Sequence, residues 1–373
     1  MVLSHLLDGG ASRRKGSRDS DGQNNQVEAA RGSSRQITIS ARIQWKNLVK
    51  NKVSIIWRQC RGDHVIIRPV QVPKPLYPPL KPADHKNAHL LALEGAKERL
   101  SLCRANLLDR DNLIAVFSGC HGVFHIASPI SNTDPDLMVV AVEGTRNVIN
   151  AAADAGVQRV VFTSSYGAVH MDPNRSSDAV LDESCWSDYE FCKQTGNLYC
   201  CSKMTAEIRA KEEAAKRGLE LAVVLPSMTI GPALQQKLNL GITHITRYVT
   251  GAKKTYPNAI AAYVDVREVA RAHVLVYERP DARGRYLCIG TVVHRADLVQ
   301  LLGDLFPEYQ ITAKCEDDGK PMARPYRFSN QRLRDLGLEF TPLRQTLYDT
   351  VVSLQQQGHL LLPAVPGPER ARL

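Results

Sequence analysis

No stretch of the 373-residue chain approaches the roughly 18 consecutive apolar positions that a membrane-spanning helix needs, so a soluble protein is expected. The apolar opening that ends at Leu7 is short and runs into Asp8, so no secretory leader is expected either. The nine cysteines show no paired spacing of the zinc-ribbon kind. Scattered thiols in a chain of this size fit a reducing compartment, with the cytoplasm as the default and no metal implied. Acidic residues are scarce at one end. Residues 1–82 hold 15 of the 48 Lys and Arg but 5 of the 38 Asp and Glu, which leaves 33 of each sign afterwards. The globular part is thus formally neutral, and the net charge of +10 resides in a polar head that includes Arg13, Arg14, Lys15 and Arg18. Such an arm reads as a solvated tail, and no nucleic-acid partner is expected.

What is present falls into segments. Residues 1–36 have the Gly, Ser, Arg and Asn content of a disordered tail and no hydrophobic period. Short strands are predicted at 53–57 and 64–67. Six prolines between Pro69 and Pro82 exclude a helix or a central strand there, since each removes a backbone donor. Beyond them helix and strand patterns alternate. Helices are predicted at 90–100, 111–117, 138–155 and 199–216, and strands at 102–105, 122–127, 159–163 and 221–225. Continuous Val, Ile and Leu strands joined by helices mean a parallel sheet covered on both faces, an α/β, Rossmann-type doubly wound architecture. After Gly231 the alternation loosens into helices at 269–277, 296–305 and 343–357. The expected divisions are a head over 37–82, a dinucleotide-binding core over 83–230, a smaller substrate-binding region over 231–358, and a tail over 359–373.

Tyr199 and Lys203 stand one helical turn apart, which puts both on one face. An ammonium beside a phenol favours the phenolate and brings a weak acid toward working pH. An exposed helical pair would show the same spacing. The context is Thr163-Ser164-Ser165-Tyr166-Gly167, which follows a strongly apolar strand, where ligands bind in doubly wound sheets. These hydroxyls are placed to hold a carbonyl, or else cap the next turn.

Several longer strings carry a resemblance. They include Lys86-Asn87-Ala88-His89-Leu90, Gly122-Val123-Phe124-His125 with Ala127-Ser128-Pro129, and Asn147-Val148-Ile149-Asn150-Ala151-Ala152. Val161-Phe162-Thr163-Ser164-Ser165, Met171-Asp172-Pro173-Asn174-Arg175, Asp182-Glu183-Ser184-Cys185-Trp186-Ser187-Asp188 and Ala272-His273-Val274-Leu275-Val276-Tyr277-Glu278 follow in order. Over residues 83–350 the chain resembles the plant cinnamoyl-CoA reductases and the related dihydroflavonol reductases, extended short-chain dehydrogenase/reductases. The resemblance implies a catalytic set of Ser165, Tyr199 and Lys203, with Ser164 as the alternative serine. It implies NADPH as cofactor, with contacts at Lys86, Asn106, Leu107, Ala127, Ser128, Ser164, Tyr199, Lys203, Pro226 and Ser227. The implied reaction moves hydride to the thioester carbonyl of a hydroxycinnamoyl-CoA, releases coenzyme A and leaves an aldehyde, in phenylpropanoid metabolism. A monomer acting on a small-molecule substrate is expected.

Two departures stand out. The family has Gly-x-x-Gly-x-x-Gly after its first strand, where only glycine lets backbone amides approach a diphosphate. Here the glycines before residue 95 are Gly9, Gly10, Gly16, Gly22, Gly32 and Gly62, and no three have that spacing. A shifted reading of the sequence upstream of Lys86, an inactive paralogue, and an enzyme whose altered head still binds NADPH all fit this. Near the site, Leu198, Cys201 and Ser202 replace the family's usual tryptophan, tyrosine and glycine, and His170 replaces its tyrosine. Leu198, Cys201 and His170 are therefore expected to shape the substrate pocket, with less stacking surface than the family offers a phenylpropenoyl ring. Cys192, Cys200 and Cys201 crowd near Tyr199, either as small buried side chains or with Cys192 and Cys200 as a redox pair.

Overall fold

The computed structural model describes strands at 53–58 and 64–68 and residues 88–92, 96, 100–233, 238–316 and 319–362. The expected tail at 1–36, the proline run, Lys86 and most of the helix expected at 90–100 lie outside the described residues; Ala88–Leu91 is helical.

The strands are β1 (Val53–Arg58), β2 (His64–Arg68), β3 (Ser101–Ala105), β4 (Gly122–His125), β5 (Arg159–Thr163) and β6 (Glu220–Pro226). Helices α1 (Arg110–Phe117), α2 (Asp136–Asp154), α3 (Tyr189–Gln194) and α4 (Leu198–Arg217) lie among them. Next come β7 (Met228–Ile230), α5 (Leu240–Val249), β8 (Ile260–Asp265), α6 (Val266–Glu278), β9 (Gly284–Cys288), β10 (Thr291–His294), α7 (Arg295–Leu305) and α8 (Leu343–Gln356).

One seven-stranded sheet runs in the order β9-β6-β5-β4-β1-β2-β3. Val123 of β4 faces Val160 of β5, which faces Leu221 of β6, all in parallel register. The period of two then sorts the strands' apolar side chains. Val123, Val160, Phe162, Val223 and Leu225 join Val148 and Ile149 of α2 and Ala206 and Ala210 of α4 in one core. Phe124, Val161, Ala222 and Val224 point the other way, onto Val269, Ala272 and Val276 of α6. Both faces are covered, as continuous apolar strands require.

The head departs from a doubly wound plan. β1 runs parallel to β4, but β2 runs antiparallel to β1, and β3 antiparallel to β2. Residues 59–63 alone separate β1 from β2, too few for the dozen or so residues of a crossover helix. A hairpin stands where two parallel strands would otherwise be joined through a helix.

The second half also holds more sheet than its pattern suggested. β10, β8 and β7 form a separate three-stranded sheet, and β9 returns to the large sheet beside β6. The division expected at residue 231 thus does not confine the large sheet to one side. The physical reason is Arg285, a charge in mid-strand, which stays buried because Glu207 pairs with it at 2.6 Å.

Arg159 joins the sheet to α6. It donates to the carbonyls of Val276, Tyr277, Arg279 and Pro280 at 2.6–3.2 Å, satisfying groups that a helix end leaves open, and it pairs with Glu220. Arg159→Met is expected to lower stability by about 3 kcal/mol, since it strands buried carbonyls. Urea denaturation checks this; a loss below about 1 kcal/mol would show that water replaces the guanidinium.

Candidate active site

Ser165, Tyr199 and Lys203 gather beyond the C-terminal end of β5. Ser165 follows β5 in extended conformation and caps a short 3-10 turn, its Oγ accepting from the Gly167 amide at 3.0 Å. Gly167 lies in close approach to the site's side chains. A Cβ there would lie 3.1 Å from Cys200 Sγ, 3.3 Å from Ser165 Oγ and 3.6 Å from a ring carbon of Tyr199.

Tyr199 occupies the first turn of α4, its backbone amide donating to Asn132 Oδ1 at 3.0 Å. Burial pushes the phenol up to about 12, and a hydrogen bond with Ser165 pulls the other way. At neutral pH the phenol therefore keeps its proton. Lys203, one turn on and 4% exposed, donates from Nζ to the Thr163 carbonyl at 3.0 Å and lies 5.8 Å from the Phe162 ring centre. Burial pulls its ammonium down to about 8, against the field of Glu207.

The structure separates the two serines. Ser164 Oγ donates to Glu207 Oε2 at 2.6 Å, while Ser165 shares the hydrogen bond with Tyr199. Ser165 is the one beside the phenol. Thr163 Oγ1 contacts His273 Nε2 at 2.6 Å, and His273 Nδ1 donates to the Val269 carbonyl at 2.7 Å. With its pKa pushed down to about 4 by burial, His273 is neutral and Nε2 accepts from Thr163.

The other sequence candidates are spread around this centre. Leu107 is buried against Gly144 of α2, and its carbonyl accepts from Asn147. Asn106 Oδ1 accepts from the Leu108 amide at 3.0 Å. Ala127 is buried, and Ser128 turns its hydroxyl to the Pro129 carbonyl. Pro226 ends β6; Ser227 beyond it has a buried hydroxyl with no hydrogen-bond partner. His170 stacks on Tyr166 at 3.9 Å and is held neutral, its pKa lowered to about 4 by burial. Leu198 opens α4 half-buried. Cys201, at 1% exposure, packs with Cys192 and Cys200 in a cluster against which Tyr199 rests, its thiol turned to the Tyr189 carbonyl. The three thiols are free, and burial raises Cys192 to about 11 and Cys200 to about 12, which disfavours the reactive thiolate.

One cluster escaped the sequence. Arg295, at the start of α7, donates to His244 Nε2 at 2.6 Å and to the Tyr263 hydroxyl. Burial pushes the Tyr166 phenol up to about 12 and the charge of Arg295 opposes this, so Arg295 lies within electrostatic reach of the site. These residues sit on α5, β8 and α7 with no shared motif; an unpaired-looking Arg at a helix start was the only signal. Among the described residues no cluster of His, Cys, Asp or Glu is arranged to hold a metal ion, and no helix is long and apolar enough to cross a membrane.

Residues 80–290 match the NAD dependent epimerase/dehydratase family. The chain is 75% identical over 292 residues to cinnamoyl-CoA reductase 1 of Oryza sativa subsp. japonica, covering 78% of this chain and 86% of that protein. Among solved structures, vestitone reductase from alfalfa superposes with a TM-score of 0.65 at 30% identity, over 74% of this chain and 89% of that one. Yeast methylglyoxal/isovaleraldehyde reductase Gre2, complexed with NADPH, superposes with a TM-score of 0.59 at 25% identity, over 68% and 83%.

Proposed function

The chain belongs to the NAD dependent epimerase/dehydratase family, and we propose that it reduces a hydroxycinnamoyl-CoA thioester to the aldehyde with NADPH, releasing coenzyme A. The observation that carries this reading is the convergence of Ser165, Tyr199 and Lys203 beyond β5, with Ser164 turned away. Phenylpropanoid metabolism in the cytoplasm, by a monomer with a nucleotide-binding core over 83–230 and a substrate region over 231–358, is the setting that accompanies it.

The described residues fit the cofactor at one end. Ser227 offers a buried, unpartnered hydroxyl beside Pro226, and Tyr199 and Lys203 stand within the same strand ends. At the diphosphate end they offer no fit, because no glycine triplet follows β1 and only residues 59–63 separate β1 from β2. Lys203, Tyr199, Ser227, Ala127 and Ser128 would hold the nicotinamide half. The group supplies a hydride when bound.

The chain's own residues handle the oxygen and the proton. Ser165 and Tyr199 present two hydroxyls to one carbonyl oxygen, where negative charge gathers as the carbon becomes tetrahedral. Tyr199, protonated at neutral pH, donates its proton to that oxygen. Lys203, tied to the Thr163 carbonyl, places a positive charge on the same helix face and stabilises the phenolate left behind. Collapse of the resulting hemithioacetal expels the thiol of coenzyme A.

The test is turnover of feruloyl-, sinapoyl- and p-coumaroyl-CoA with NADPH, followed as loss of absorbance and appearance of aldehyde. Activity on dihydroflavonols or simple ketones alone would move the protein to a carbonyl reductase with the same proton donor. The hairpin favours a second reading, a cofactor-free paralogue, which no turnover on any carbonyl would support.

A further inference from the structure

Glu207 is fully buried one turn beyond Lys203 on α4, and none of the reaction steps above uses it. A lone buried carboxylate is costly unless it is paired and hydrogen-bonded. It is both. Ser164 Oγ donates to Oε2 at 2.6 Å, and Arg285 Nε of β9 donates to Oε1 at 2.6 Å. Arg285 in turn donates to the Glu183 and Cys185 carbonyls at 2.8 and 2.6 Å and stacks on Trp186 at 3.9 Å. The carboxylate is thus held by two side chains, one of them itself fixed by carbonyls and a ring.

We propose that Glu207 is a positioning residue of the reductase: it turns the Ser164 hydroxyl away from the carbonyl site and acts as the fixed counter-charge that keeps Lys203 an ammonium. That these roles serve catalysis rests on the reductase reading; the hydrogen bond to Ser164 and the charge one turn from Lys203 do not. The surroundings of Lys203 make the assignment specific. On its own helix it faces Tyr199 and Glu207. From β5 come the Thr163 carbonyl and the Phe162 ring, neither of them ionisable. Behind Thr163, α6 contributes His273, which is neutral above a pKa of about 4. Arg285 of β9 reaches Glu207, with which it pairs. Glu207 is the charge whose field holds the proton on Lys203, against burial that brings it down to about 8.

Glu207→Gln preserves the shape: its amide oxygen can accept from Arg285 and its NH2 can donate to Ser164 Oγ, so one hydrogen bond reverses while the negative charge is removed. In the full chain labelled with 13C-lysine, and with the resonance identified by its absence from Lys203→Met, the titration of Lys203 is followed by NMR. Wild type is expected to titrate near pH 8 and Glu207→Gln about one unit lower, since an opposite charge nearby shifts a group by one to three units. Glu207→Asp, which keeps the charge but draws it back, is expected to shift less. A titration unmoved in whichever of these variants folds overturns the proposal. The readout needs neither cofactor nor substrate, so absent turnover, which counts against the reductase reading, leaves it intact. Where turnover is measurable, the alkaline limb of kcat is expected to move with the Lys203 titration; a uniform loss at every pH would mark a merely structural residue and overturn the positioning role.

Discussion

Tyr199→Phe is expected to lower turnover of a hydroxycinnamoyl-CoA thioester by about a thousandfold while leaving cofactor affinity within about twofold of wild type, the range for losing one proton donor. The structure makes this a clean removal. Phenylalanine fills the same volume, and the amide that positions Tyr199 through Asn132 belongs to the backbone and stays. Lys203 is held by the Thr163 carbonyl, not by the phenol, so the ammonium keeps its place. Ser165→Ala is less informative, because Ser165 Oγ also caps the turn at Gly167 and its loss would disturb the loop. Single-turnover rates at pH 7 with saturating NADPH, alongside fluorescence titration of NADPH, are the measurements. A variant that keeps more than about a tenth of the wild-type rate would remove Tyr199 as the proton donor.

The second large effect concerns the diphosphate. NADPH is expected to bind only within about tenfold of reduced nicotinamide mononucleotide, which lacks the adenosine diphosphate half. In a site with a glycine turn, several charged-group hydrogen bonds of about 1.5–3 kcal/mol each separate two such ligands by far more than a hundredfold. Those bonds come from amides at a helix N-terminus. Here β1 and β2 pair antiparallel with only residues 59–63 between them, too few for a crossover helix that would present such amides. Calorimetric titration of both ligands decides the matter. Affinities more than about a hundredfold apart would mean that another part of the chain supplies the missing donors.

The parallel core was legible because its strands are nearly uninterrupted. Gly122-Val123-Phe124-His125 and Arg159-Val160-Val161-Phe162-Thr163 are buried on both faces, and buried strands read as continuous apolar runs. The helix carrying Tyr199 was legible for the opposite reason, a long alternation of Ala, Glu and Lys. Strands beyond Gly231 were not. β8 mixes Ala261 and Ala262 with Tyr263 and ends in Asp265, and β9 carries Arg285, so neither reads as a continuous apolar run until its partners are known. The choice between Ser164 and Ser165 illustrates the same limit in the site. Adjacent hydroxyls are equivalent in a sequence, and only Glu207, which lies 43 positions on, distinguishes them. The His244, Tyr263 and Arg295 cluster is likewise assembled from three elements by tertiary packing, with nothing periodic to announce it.

The hairpin of β1 and β2 also bears on whether the protein stays dispersed. Without it β4 would have hydrogen-bonded neighbours on one flank only, and β3 would have none, each offering a row of free amides and carbonyls to a strand from another molecule. Closing that gap takes only backbone of the right length and direction, whereas gripping a nucleotide takes particular glycines. In this chain the first task is accomplished by sequence that shows no trace of the second, so filling the flank of β4 and capturing a nucleotide are here physically separable.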